Sequence, residues 1–168
     1  MKKLAILTLG AGLGLALPAA VAAQVGSITA QATVNSVFSA GATQDVTFDA
    51  VAPGNSVTVD PVTGTGGTPG YVEFTYNANY RITPTILPTT LTGGGSSTVD
   101  VAWVCGTSPS TATPPGGAGS CTQGTAVTAD NSVAGPGTTV VWLGGTVSNT
   151  DVLAGTYTGN ITFTIAAF

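Results

Sequence analysis

Apolar and polar side chains alternate along this chain with a period of two, in short runs that glycine, proline, asparagine and aspartate interrupt. The last run is the clearest, and one of its faces carries Ile161, Phe163, Ile165 and Ala167. A period of two places alternate side chains on opposite faces of a β-strand, and no helical period occurs beyond the first 23 residues. We therefore predict an all-β fold, a single antiparallel β-sandwich of about seven to nine strands.

The strand pattern occurs in eight runs along the chain. They are residues 25–34, 45–48, 56–59, 71–76, 80–86, 98–104, 138–143 and 159–167. In the fourth run, Val72, Phe74 and Tyr76 share one face, which we expect to point into the core. Gly 24 and Pro 10 make 34 of 168 residues, and they supply turns between strands rather than linkers between domains.

The first 23 residues have the features of a secretory signal peptide. Lys2 and Lys3 precede 14 uncharged, mostly apolar residues (4–17), and small residues lead to Ala23. The apolar stretch is shorter than the roughly 20 residues that span a bilayer. We predict a signal peptide over 1–23, an N-terminal strand over 24–36 and a sandwich domain over 37–168. The mature chain is expected to cross the periplasm and to be secreted, at the cell surface or in an extracellular filament, without a stable membrane span.

Two cysteines, Cys105 and Cys121, are then expected to form a disulfide, the usual state in an oxidising compartment. Residues 106–120 between them are rich in proline and glycine. We expect this segment to form a loop and to contain no part of a central strand.

Composition excludes most enzyme chemistry. The chain has no His and only 6% charged residues, and without Lys2 and Lys3 one Arg faces seven carboxylates, a net charge of −6. We predict no enzyme, no catalytic residues, no cofactor and no nucleic-acid partner. Asp45, Asp49 and Asp60 could gather as Ca²⁺ ligands, but isolated turn aspartates usually bond local backbone, so no metal site is predicted.

The run at residues 25–34 allows two interpretations. Ile28, Ala30, Ala32 and Val34 form a narrow apolar face, and the run carries no charge. It is either the first strand of the protein's own sandwich or a strand donated to a neighbouring copy, since a terminal amphipathic strand can complete another subunit by strand addition.

Four segments resemble a known protein family. They are VWLGGTV at 141–147, AGTYTGNITFTI at 154–165, TFDAVAPG at 47–54 and SVTVDP at 56–61. Together they are similar to segments of secreted bacterial Ig-like sandwiches of unknown function, a family related to spore coat protein U and to chaperone-usher pilins. The resemblance covers most of the mature chain.

The resemblance implies an Ig-like, pilin-like structural subunit that lacks one strand. A periplasmic chaperone would hold it along its last strand, an outer-membrane usher would assemble it, and the N-terminal strand of the next subunit would complete it. The donated face would be Ile28, Ala30, Ala32 and Val34. The groove and chaperone-binding strand would carry Gly155, Ile161, Phe163, Ile165 and Ala167. The alternative is a stand-alone secreted adhesin or ligand-binding sandwich, with Trp103, Trp142 and Tyr157 as a surface for stacking sugars.

Overall fold

The computed structural model of the protein describes residues 31–128, 133–148 and 153–168. These ranges form eleven strands, of which seven have four or more residues, and every pairing between them is antiparallel. The predicted all-β class is confirmed. The strands are β1 Phe38–Gln44, β2 Thr47–Phe48, β3 Ser56–Val59, β4 Gly67–Thr68, β5 Gly70–Tyr76, β6 Tyr80–Ile86, β7 Thr90–Thr92, β8 Thr98–Ser108, β9 Gly119–Ser120, β10 Gly137–Ser148 and β11 Thr162–Ala167.

The main sheet is built around β10, with the order β1-β5-β10-β8-β7. β8 runs along one side of β10, while β5 and then β3 share its other side. Gly144 lies where β3 joins, and a Cβ atom there would collide with the backbone carbonyl of Val59. Glycine at this position therefore permits the close approach of two backbones.

The second sheet pairs β6 with β11 and packs against the main sheet. Ile82 of β6 is fully buried, and Phe163 and Ile165 of β11 pack on the same core as Phe74 of β5. The face of 71–76 predicted to point inward does so. The buried cluster draws on both sheets and consists of Phe74, Tyr80, Ile82, Leu87, Leu91, Val99, Val101, Trp103, Cys105, Cys121, Val141, Leu143 and Val147.

The long strands follow the order of an immunoglobulin constant-type sandwich. Such a sandwich has strands A, B, E and D in one sheet and C, F and G in the other. When the six long strands are lettered A to F along the chain, the main sheet β1-β5-β10-β8 has the order A, B, E and D. The second sheet then pairs C (β6) with F (β11). Within the described ranges, no strand occupies the position of G beside β11.

The predicted disulfide between Cys105 and Cys121 is present, with the two Cα atoms 5.3 Å apart. The prediction that 106–120 contains no part of a central strand was wrong at its start, and its end also forms a short strand at the side of β8. β8 continues to Ser108 against β10, and Gly119–Ser120 forms β9 against β8. Gly106 lies in this extension of β8, and its lack of a side chain leaves room for the loop, because a Cβ atom there would meet Gly117 and Pro115.

Four other strand predictions needed correction. β1 was missed, and only Thr47–Phe48 of the run 45–48 is a strand. β10 does not end at residue 143 but continues through Gly144 and Gly145 to Ser148. β11 begins at Thr162 rather than at residue 159.

Candidate strand-binding groove

A cavity of about 1080 Å³ opens into the core between two stretches of chain, residues 43–51 and residues 153–163. We call it the groove. Its floor is apolar and is part of the main core: Val72, Leu91, Val99, Trp103, Val141, Leu143 and Val147. Protein interiors contain few voids larger than a water molecule. An opening of this size therefore marks a core that the described residues leave incomplete.

The groove is nearly uncharged. Its only charged lining residues among those described are Asp45 and Asp49, both exposed on the 43–51 wall. Phe48 on that wall packs against Trp103 of the floor, with ring centroids 6.0 Å apart. The side chain of Trp103 is fixed because its Nε1–H donates to the carbonyl of Pro88 at 2.5 Å. Such a lining favours apolar side chains.

The edge of β11 that faces away from β6 carries backbone groups with no paired strand among the described residues. Ile165 and Phe163 lie opposite Ile82 and Pro84 of β6. The backbone groups of Ile82 and Pro84 form their hydrogen bonds on the side of β6 that faces away from β11. The two facing pairs are therefore non-hydrogen-bonded pairs of an antiparallel ladder. Phe163 and Ile165 must then direct their own N–H and C=O groups away from β6. β1 touches β11 without pairing with it.

The structure brings together three of the five residues predicted to border the groove. Gly155, Ile161 and Phe163 line it, with Gly155 exposed and the other two half-buried. Ile165 packs on the core outside the groove lining, and Ala167 is exposed.

Sequence reasoning missed the floor and the 43–51 wall. Val99, Val101 and Trp103 lie on one face of the predicted strand 98–104, but a shared face does not reveal whether another strand covers it. In the wall the pattern predicted a strand over 45–48, of which only Thr47–Phe48 is one, but it did not indicate that this stretch borders a groove.

The predicted donor face lies only partly within the described residues. Ile28 and Ala30 are outside them, as is the predicted signal peptide. Residues 31–37 form no strand, Ala32 is exposed and Val34 is 84% exposed. The chain is tied down just after Val34, where the amide of Asn77 accepts from Val37 N–H at 2.6 Å and donates to the Asn35 carbonyl at 3.0 Å.

The aromatic residues considered for sugar stacking do not form an exposed surface. Trp103 is 5% and Trp142 7% exposed, and Tyr157 is half-buried against the core. Both indole N–H groups are satisfied internally, that of Trp142 by Ser108 Oγ at 2.8 Å. This part of the adhesin interpretation was wrong, because both indole rings are buried and Tyr157 is half-buried.

The three aspartates considered as Ca²⁺ ligands are not gathered into one cluster with each other. No group of three metal-ligating side chains occurs in the described parts of the chain. Asp60 instead accepts from Val62 N–H at 2.8 Å and from Thr63 Oγ1 at 2.9 Å. The hydrogen bond from the Val62 backbone, followed by that from Thr63, lowers the pKa of Asp60 below its ordinary value of 3.8.

Comparison with protein-family models, with curated proteins and with solved structures found no match to this chain. Across 31–128, 133–148 and 153–168, no helix is long and apolar enough to cross a membrane.

Proposed function

We propose that the protein is a structural subunit of an extracellular filament, in which the groove of one copy receives the N-terminal strand of the next. The observation that supports this is the groove itself. It reaches the main core beside a sheet edge, at the position where the G strand of an Ig-like sandwich would lie. An added strand would satisfy the outward backbone groups of Phe163 and Ile165 and would insert alternate side chains between the sheets.

The segment 25–34 suits this groove in length, pattern and charge. Ten extended residues span about 33 Å, enough for a full strand of the sandwich. Its apolar face, which comprises Ile28, Ala30, Ala32 and Val34, matches the apolar floor. The segment carries no charge that would have to be buried.

Two further observations support a secreted subunit. The disulfide is typical of proteins that fold in an oxidising compartment. The segments that resemble the sandwich family related to chaperone-usher pilins include 154–165, part of which lines the groove. By that resemblance, a periplasmic chaperone would protect the open edge before an usher exchanges it for the donor strand. Nothing in this function needs a catalytic residue or a cofactor.

The test substitutes one donor-face residue and one neighbour on the opposite face. Ile28→Asp should abolish polymerisation, because it loses about 2 to 3 kcal/mol of apolar burial and would bury an unpaired carboxylate at a cost of several more. Thr29→Asp adds the same charge to the outward face and should polymerise normally. The readout is electrophoresis in SDS, unboiled and boiled, of secreted and surface-sheared material, in which a donated strand gives a ladder that heating collapses.

An unchanged ladder from Ile28→Asp would refute donation of this strand. A single band from the unsubstituted chain in both lanes would instead favour the alternative, a stand-alone ligand-binding sandwich. The observation that favours this alternative is the volume of the groove, which is near the upper end of the range for small-molecule pockets.

A further inference from the structure

The edge of β6 opposite β11 is closed by residues 122–128, which we call the edge cover. Ile82 N–H donates to Thr128 Oγ1 at 3.0 Å, and the Ile82 carbonyl accepts from Val127 N–H at 2.9 Å. The Pro84 carbonyl accepts from Gly124 N–H at 2.8 Å. Pro84 has no N–H to satisfy, so the backbone groups that both residues direct to this edge are satisfied.

The edge cover closes the edge without becoming a strand. It is a turn in which Thr125 N–H donates to the Thr122 carbonyl at 3.0 Å, and Gly124 has a φ of +78°. One of its acceptors is a side-chain hydroxyl rather than a backbone carbonyl. A turn of this kind presents no continuous row of backbone groups, so it does not create a new edge for a further strand.

Both ends of the edge cover are anchored in the core. At its start, Cys121 is bonded to Cys105 of β8, and its N–H donates to the Trp103 carbonyl at 3.0 Å. At its end, Thr128 is 6% exposed and Val127 packs on the core. Gln123 Oε1 also accepts from Leu87 N–H at 3.1 Å, just beyond the end of β6.

The second sheet has one edge along β11 and one along β6, and the two edges differ in what lies beside them. The β11 edge faces the groove, whereas the β6 edge is hydrogen-bonded to the edge cover. We infer that the edge cover determines where strand addition occurs, by sealing β6 so that the second sheet accepts a strand only beside β11. This inference rests on the proposed function for its biological meaning, but the sealing itself is a property of the single chain.

The test displaces the edge cover with one substitution and repeats the same substitution at a matched turn. Gly124→Pro removes the N–H bonded to Pro84 and forbids the positive φ. Gly64→Pro does the same in another turn, where Gly64 has a φ of +68° and its N–H donates to the Asp60 carbonyl at 2.8 Å, away from β6. A third variant, Thr128→Val, keeps the turn and removes only the acceptor for Ile82 N–H.

Two measurements are made on the purified chain, each in the Ile28→Asp background as well. Hydrogen exchange of the Ile82 amide should be about tenfold faster in Thr128→Val and faster still in Gly124→Pro, with no change in Gly64→Pro. Light scattering should show that Gly124→Pro self-associates through β6, even with Ile28→Asp present, while Gly64→Pro does not.

Unchanged exchange at Ile82 in both edge-cover variants would overturn the inference, because the edge would then be closed by something else. Fast exchange without new association in Gly124→Pro would also overturn it, because an open β6 would then accept no strand. Neither measurement depends on donor-strand assembly. If the unsubstituted chain proves monomeric, the proposed function fails while the exchange and association results still decide whether β6 is sealed.

Discussion

The cross-link between Cys105 and Cys121 is expected to contribute a large share of the stability of this domain. It joins β8 to the start of the edge cover across a sequence separation of 16 residues. Both cysteines are 8% exposed, so replacing them changes packing as well as the constraint on the unfolded chain. Cys105→Ala combined with Cys121→Ala removes the cross-link together with both sulfur atoms.

The size of the effect follows from loop closure. For a loop of about 16 residues, the chain-entropy relation gives roughly 10 cal/mol/K, which is about 3 kcal/mol at 25 °C. Domains are typically stable by about 5 to 15 kcal/mol, so the loss is a substantial fraction. The unfolded chain should also be more expanded without the cross-link, and the dependence of unfolding free energy on urea should become steeper.

The assay is urea unfolding of three species at one pH. The oxidised and reduced forms of the unsubstituted chain differ only in the cross-link, and their difference should be about 3 kcal/mol. The reduced form and the double alanine variant differ in the packing of two sulfur atoms, which separates that contribution. A difference below about 1 kcal/mol between the oxidised and reduced forms would refute the loop-closure reasoning.

Two further predictions concern a glycine in the main sheet and one carboxylate. Gly144→Ala should destabilise the fold by about 1 to 3 kcal/mol, because β3 must move away from the new Cβ. Gly116→Ala, whose Cβ meets nothing within 4 Å, is the control in urea unfolding, and equal losses would contradict the argument. The lowered pKa of Asp60 means that its contribution is complete above the ordinary value of 3.8 and is lost as pH falls through the lower native pKa. Asp60→Asn should therefore flatten the acid limb of the stability profile, and an unchanged slope between about pH 2 and pH 4 would contradict this.

The sequence pattern located strands well where alternation was strong and poorly where tertiary pairing substitutes for it. β3 and β6 have the predicted bounds, 56–59 and 80–86. β1 has Ala40, Gly41 and Ala42 at its centre, which give no apolar alternation, and it is a strand because it pairs with β5. The extension of β10 through Gly144 and Gly145 was missed because paired glycines usually mark a turn. Here they permit close contact with the carbonyls of Val59 and Ala102.

Candidate site residues were predictable to the extent that they share a strand face. Ile161 and Phe163 were assigned to the groove border from alternation and resemblance, and both line it. Ile165 has the same parity but lies outside the lining, because the groove covers only part of the length of β11. The floor residue Leu91 lies in the three-residue strand β7, too short to give a pattern.

The sequence by itself determined the all-β class, the inward faces of β5 and β11, and the disulfide. These follow from local chemistry: a period of two between successive side chains, turn residues between runs, and two cysteines in a chain with a predicted signal peptide. The tertiary structure alone decided which sheet edge is open and which is closed. Backbone groups at the edge of a sheet form hydrogen bonds with residues far along the chain. The N–H of Ile82, for example, donates to Thr128, 46 residues away. Alternation records the face on which a side chain lies, but carries no information about what binds the backbone beside it.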